Sequence, residues 1–355
     1  MKIVADENLA FTDYFFSEFG AIQHVAGRNL SHSDVVDADA LLVRSVTKVN
    51  EALLHNTKLA YVGSATIGTD HLDIHALNAA GIPWSNAAGC NAQAVAEYVI
   101  TALLHLKPEL ITAEQNFCLG IVGLGNVGSR LAIMAQLLGW QVIAYDPLVS
   151  KDNVTQVDFE QLLQRADAIS IHVPLTTSGD YRTYHLFNAS SLAQMKPNAI
   201  LINSARGPVV EEAALMQDIR MTNRAVVLDV FEHEPEISQE LLALLAIATP
   251  HIAGYSLEGK ARGTQMIYEA FCHVFNFAAT KRFETQLPSC EPYFTQADFK
   301  TALMQYLTQI YDIAQDDAQL RACVKNGKVE QQAFDALRKN YPLRREWAAH
   351  GGPQA

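Results

Sequence analysis

The chain has 355 residues, of which 49% are hydrophobic and 18% charged, and its formal net charge is −12. That length exceeds one ordinary core, so two or three domains are expected, and the apolar content excludes a disordered chain. The acidic balance argues against a nucleic-acid partner, which would need a basic face, yet leaves room for an anionic small molecule met by local arginines.

The first hundred residues alternate short apolar runs with helical patterns. Lys2–Ala5, Ala21–Ala26, Ala40–Arg44, Leu59–Ser64 and Ile82–Ser85 read as strands, and Leu9–Phe19, Glu51–Asn56 and His71–Ala80 carry helix-period apolar residues. This βα alternation predicts a mainly parallel sheet covered on both faces. Acidic residues appear by Asp6, so no signal peptide is expected, and no apolar pattern reaches the ~18 residues of a membrane span. Cys90, Cys118, Cys272, Cys290 and Cys323 are scattered without a C-x-x-C pair. They read as reduced thiols of a cytoplasmic protein, with neither a metal site nor a disulfide framework.

Asn91–Leu106 is apolar nearly all round and predicts a helix buried between two domains. A second unit follows, with strands at Phe117–Val122, Gln141–Tyr145, Ala168–His172, Ala199–Asn203 and Arg224–Asp229. Its first strand runs into Gly123-Leu124-Gly125-Asn126-Val127-Gly128, and its second ends on Asp146. This is the layout of a dinucleotide site. The first glycine permits the tight turn, the second lets the pyrophosphate approach, and the third lets the helix pack on the sheet. A carboxylate at Asp146 accepts from the ribose hydroxyls and repels a 2′-phosphate, so NAD is expected over NADP.

Three further motifs lie downstream of the glycine loop, the first two at the ends of predicted strands. Asn203-Ser204-Ala205-Arg206-Gly207 offers a planar guanidinium for a carboxylate, with backbone beside it open to close approach. Asp229-Val230-Phe231-Glu232-His233-Glu234-Pro235 offers a carboxylate, and Thr249-Pro250-His251-Ile252-Ala253-Gly254-Tyr255 a histidine suited to proton transfer near neutrality. A long helical pattern follows Gly259 and runs to Phe277. Beyond Pro288, Phe299, Leu303, Tyr306, Leu307, Ile310 and Ala314 form a helical stripe to be buried on the chain's own body or on another subunit. Residues 350–355 read as frayed. Arg344 and Arg345 read either as a solvated basic pair or as a contact to the phosphate of a neighbouring subunit's substrate.

The four motifs in this order resemble the D-isomer-specific 2-hydroxyacid dehydrogenase family, over about Lys2 to Phe277. The resemblance implies an α/β protein with two doubly wound parallel-sheet domains. Residues 1–95 with 258–285 would form a flavodoxin-like substrate-binding domain and 96–257 a Rossmann NAD-binding domain. Residues 286–355 would form a small α-rich C-terminal dimerisation domain, making a homodimer. Position by position, Arg206 matches the substrate-binding arginine, Glu234 the carboxylate that tunes the histidine, and His251 the acid/base. Cofactor positions would be Gly123, Gly125, Asn126, Val127, Gly128, Asp146, Val173, Arg206, Asp229 and Gly254, with Val173 standing where a threonine is expected. Lys2–Asn8, Val43–Thr47, Gly63–Asp73, Trp84–Asn91 and His251–Ser256 are similar to one branch of the family that acts on a phosphorylated polyhydroxy acid. In that branch Ser45, Thr66 and Tyr255 match substrate positions. The competing readings are a family member acting on glycerate or 3-phosphoglycerate, and a non-catalytic NAD-sensing corepressor-like protein.

Overall fold

The computed structural model describes residues 1–113, 116–295 and 298–354. These form two compact units, residues 1–91 with 256–289 and residues 92–255 with 290–355.

The first unit is built on five parallel strands, β1 (Lys2–Asp6), β2 (Ala21–Val25), β3 (Ala40–Val43), β4 (Tyr61–Ser64) and β5 (Trp84–Asn86), in the order β2-β1-β3-β4-β5. That is the flavodoxin-like order. Because side chains alternate along a strand, Ile3, Ala5, Ala40 and Leu42 enter one core while Val4, Leu41 and Val43 enter another. With both faces covered, the strands read as continuous apolar runs. The first face is covered by the Leu257–Val274 helix through Ile267, Tyr268 and Phe271, and the buried Tyr61 hydroxyl donates to Ile267 O at 2.9 Å. This helix starts earlier than its glycine suggested, because Ser256 Oγ accepts from Gly259 N at 2.9 Å and caps the first turn.

The second unit holds seven parallel strands, β6 (Cys118–Val122), β7 (Gln141–Tyr145), β8 (Thr155–Gln156), β9 (Ala168–Ile171), β10 (Ile200–Asn203), β11 (Val226–Leu228) and β12 (Ile247–Ala248). Their order is β12-β11-β10-β9-β6-β7-β8, the dinucleotide-binding order with one strand added at the edge. The sheet reverses direction of winding between β6 and β9, and ligands of such sheets sit at the carboxyl ends there. β8 and β12 have two residues each, too few for any periodicity to announce them.

The Ala92–Leu106 helix is buried within this unit and shares a core with Leu131, Met134 and Ala135 of the Asn126–Leu137 helix. The C-terminal segment supplies the Phe299–Ile310, Ile313–Ala322 and Gln331–Lys339 helices and an antiparallel hairpin, β13 (Val324–Lys325) with β14 (Lys328–Val329). Ala302, Leu303, Ile310 and Trp347 join the core of Val95, Val99 and Leu103, so the apolar stripe is buried in part on its own body, with Phe299, Tyr306 and Leu307 half-buried and Ala314 exposed. Trp347 N donates to Glu97 Oε1 at 3.0 Å, which brings the end of the chain onto the buried helix. His350 is not frayed. It is 6% exposed with Nδ1 2.7 Å from Glu291 O, while Ala355 lies outside the described residues. Among the described residues no helix is long and apolar enough to cross a membrane.

Candidate active site

The glycine loop leaves β6 with a separate reason for each glycine. Gly123 has φ +97°, and a Cβ there would lie 2.6 Å from His172 O. At Gly128 a Cβ would lie 1.9 Å from Gly123 O, so only glycine lets the helix start this close to the strand. Gly125 is different, because a Cβ there would meet nothing within 4 Å. Its lack of a side chain keeps open the approach to the first N–H groups of the twelve-residue Asn126–Leu137 helix, which no side chain caps. An exposed helix start with partial positive charge fits a pyrophosphate. Asn126 is exposed and Val127 half-buried at the first turn.

Asp146 follows β7. Its Oδ2 accepts from Leu124 N at 2.7 Å, and its Oδ1 accepts from Leu148 N at 2.9 Å and Val149 N at 3.0 Å. The carboxylate therefore shapes the glycine loop and retains acceptor capacity on Oδ2 for a ribose hydroxyl. Across the switch point His172 Nε2 lies 2.8 Å from Ser170 Oγ, and desolvation pushes the ring down to about 3, so it stays neutral. Val173, next in line, is half-buried and packs towards Gly123.

Arg206 lies after β10 in a turn braced by Asn203, whose Nδ2 donates to Arg206 O at 2.9 Å and whose Oδ1 accepts from Ala205 N at 3.1 Å. Arg206 is half-buried, with Nη1 donating to Ala205 O at 2.8 Å. The next residue corrects one expectation. A Cβ on Gly207 would lie 1.9 Å from Phe231 O and 2.6 Å from Glu232 N. The close approach at this glycine is made by the 231–232 backbone, and it seats the arginine turn directly against the loop that carries Glu234. Glu232 reinforces that loop, accepting from Glu212 N at 2.8 Å with its Oε1 2.6 Å from His185 Nε2.

His251 and Glu234 are brought together. His251 Nδ1 lies 2.9 Å from Glu234 Oε1 and 3.2 Å from Oε2, with the side chains 35% and 20% exposed. Since a carboxylate only accepts, Nδ1 carries the hydrogen and Nε2 is left to exchange a proton with a ligand. Burial works to raise the Glu234 carboxyl, but the His251 bond and charge, with Arg338 and Phe231 N–H, hold it below its usual range. His251 has φ +58°, a left-handed conformation that costs a non-glycine residue about 1 kcal/mol or more.

Asp229 holds that conformation. Its Oδ1 accepts from Thr249 Oγ1 at 2.6 Å and Ile252 N at 2.8 Å, and its Oδ2 accepts from Ala253 N at 2.9 Å. Asp229 is 1% exposed, with burial raising its carboxyl, so it braces the 249–253 turn while its Oδ2, which accepts one bond, retains acceptor capacity. Gly254 and Tyr255 follow half-buried, and the Tyr255 ring meets Tyr341 edge-on at 5.8 Å.

Ser45 and Thr66 belong to the first unit, just beyond the carboxyl ends of β3 and β4. Ser45 is exposed, whereas Thr66 Oγ1 lies 2.9 Å from Ser64 Oγ, which in turn lies 2.8 Å from His71 Nε2. Arg344 does not reach outward. It is 9% exposed and donates to Ile252 O at 3.0 Å, Ala94 O at 3.2 Å, Tyr255 O at 3.4 Å and Ala253 O within its own unit. Sequence reasoning gave no role to Thr249, which relays Tyr98 to Asp229, or to Ser204, whose buried hydroxyl has no hydrogen-bond partner among the described residues. It also missed Arg338, 3.9 Å from Glu234. Ser204 and Thr249 lie inside the motifs, but their roles, like that of Arg338 outside them, are defined by what each meets across the fold.

Residues 107–253 match the D-isomer specific 2-hydroxyacid dehydrogenase, NAD binding domain, and residues 292–350 match a domain of unknown function, DUF3410. An erythronate-4-phosphate dehydrogenase of Acinetobacter baumannii is 73% identical over 355 residues, covering 100% of both chains. One of Psychrobacter cryohalolentis is 45% identical over 98% of this chain and 97% of its own. Among solved structures, D-lactate dehydrogenase of Aquifex aeolicus, complexed with NAD and lactic acid, has a TM-score of 0.63 at 23% identity, over 78% of this chain and 96% of its own.

Proposed function

The chain belongs to the erythronate-4-phosphate dehydrogenases, within the D-isomer-specific 2-hydroxyacid dehydrogenase family, and from that premise we propose that it oxidises 4-phospho-D-erythronate at C2. The product is (R)-3-hydroxy-2-oxo-4-phosphobutanoate, a step of pyridoxal 5′-phosphate biosynthesis. The observation that carries this reading is the Glu234–His251 pair, hydrogen-bonded at 2.9 Å on loops that follow β11 and β12.

Arg206 holds the substrate carboxylate and C2 oxygen in a planar, charge-assisted contact. His251 Nε2 takes the proton of the C2 hydroxyl, and Glu234 stabilises the imidazolium that results. NAD, when bound, supplies the hydride acceptor. The start of the Asn126–Leu137 helix at Asn126, Val127 and Gly128 receives its pyrophosphate and Asp146 its ribose. Val173 is assigned to the nicotinamide side, and Arg206, Asp229 and Gly254 to the cofactor, by the family resemblance. Ser45, Thr66 and Tyr255 are assigned to the substrate on the same ground, with short hydroxyls suited to phosphate oxygens. A homodimer formed through the C-terminal segment and a cytoplasmic location are carried over likewise.

NADH formation from 4-phosphoerythronate, erythronate, glycerate and 3-phosphoglycerate tests the substrate. The phosphorylated four-carbon acid is expected to give the highest kcat/KM, and equal rates with unphosphorylated erythronate sink the assignment. Asp146→Asn is expected to lower the NAD-over-NADP ratio of kcat/KM by about tenfold, since the repulsion of a 2′-phosphate is removed. An unchanged ratio refutes the role given to Asp146.

A further inference from the structure

We propose that the C-terminal segment supplies a positioning residue for the acid/base pair: Arg338, which joins Glu234 to the hydroxyl of Tyr255. This role presupposes the acid/base pair of the proposed function and adds to it a charge from a part of the chain that carries none of its motifs.

The placement begins with Phe334. It is 1% exposed and packs with Leu320, Val329 and Ile237, which fixes the rotation of the Gln331–Lys339 helix. Arg338 is four residues on and therefore on the same face, with its guanidinium 5.7 Å from the Phe334 ring centroid. From there Nη1 reaches 3.9 Å from Glu234 Oε1, the oxygen that also lies 2.9 Å from His251 Nδ1. The same guanidinium hydrogen-bonds the Tyr255 hydroxyl. Arg344, farther along the segment, holds the 252–255 turn by its carbonyls and stacks over Tyr311 at 4.4 Å. The turn bearing His251 is thus pinned by Asp229 through its N–H groups and by Arg344 through its C=O groups. Arg338 then fixes the carboxylate that faces the ring.

The charged and titratable groups around Glu234 are His251 and Arg338, and Arg338 in turn faces Tyr255 and the charge of Asp229. Arg338 is one of the influences holding Glu234 below the usual carboxylate range against the effect of burial. Without that charge the hydrogen-bonded Glu234–His251 pair takes up a proton at higher pH, and a pair that already carries the extra proton cannot accept one from the C2 hydroxyl. The acid limb of activity therefore moves upward in pH.

The test compares kcat/KM against pH for oxidation in wild type, Arg338→Gln and Arg338→Lys, with NAD titration of each as the check on folding. Glutamine keeps a hydrogen-bonding group without charge, and lysine keeps the charge. Arg338→Gln is expected to move the acid limb up by about half a pH unit or more and to lower kcat roughly tenfold. Arg338→Lys is expected to keep the wild-type limb, and all three proteins to bind NAD alike. Limbs that coincide in all three proteins, or that shift equally in the two variants, overturn the proposal. If His251→Ala is inactive while Arg338→Gln keeps the wild-type limb, the Arg338 role alone fails. If His251→Ala retains turnover, the acid/base reading fails with it.

Discussion

Replacement of His251 by alanine is expected to lower turnover roughly 1,000-fold while NAD still binds with wild-type affinity. The imidazole is the only part of the 249–253 turn engaged by Glu234, at 2.9 Å and 3.2 Å. The bonds that hold the turn run from Asp229 to the N–H groups of Ile252 and Ala253, and these survive the substitution. Alanine tolerates φ +58° no better than histidine, so no backbone strain is relieved that could redirect the loop. The expected result is a folded, cofactor-binding protein that lacks its proton acceptor. Steady-state turnover alongside NAD titration checks this, and turnover near wild type removes His251 from the mechanism.

Gly207→Ala is expected to be nearly as damaging by a different route. The added methyl would sit 1.9 Å from Phe231 O and 2.0 Å from Phe231 C, both backbone atoms. Neither can rotate away, so the 231–235 loop must shift by about an ångström or more to reach ordinary contact distance. Glu234 is on that loop, and its bond to His251 does not survive such a displacement intact. Overpacking of this kind costs about 1–3 kcal/mol in stability, and misplacing a catalytic group by an ångström costs on the order of 100-fold in rate. Thermal melting and turnover measured together check both parts. A variant with wild-type melting and activity would mean that the two loops are not seated against each other here.

Much of the site was legible because its chemistry is local in the chain. Gly123, Gly125 and Gly128 announce a strand-to-helix turn by spacing alone, and the turn is found with a distinct reason at each position. Arg206 and Glu234 follow the ends of β10 and β11, which apolar runs mark well in a parallel sheet, whereas His251 follows β12. The two-residue strands β8 and β12 were not legible, since period-2 alternation needs more residues than they have. The start of the Leu257–Val274 helix was read late because Gly259 looked like a break, when Ser256 upstream supplies the cap. The bracing role of Asp229 is not legible in the sequence, where the family resemblance marks it only as a cofactor position. Its commitment to Thr249, Ile252 and Ala253 spans about twenty residues and cannot be read from neighbours. Arg338 and Arg344 are farther still, and no periodicity links them to the turns they hold.

The Arg344 anchor bears on how the protein comes to life during translation. Its guanidinium closes on carbonyls of Ile252 and Ala253, which leave the ribosome about ninety residues earlier. At ordinary rates of synthesis that interval lasts roughly 5–20 s. Throughout it the histidine turn lacks its arginine partner, and the core around Val95, Val99 and Leu103 lacks Leu303, Ile310 and Trp347 for most of the same interval. A chain lacking Arg344 leaves the carbonyls of Ile252 and Ala253 without this donor, so that the histidine turn is held from the Asp229 side alone.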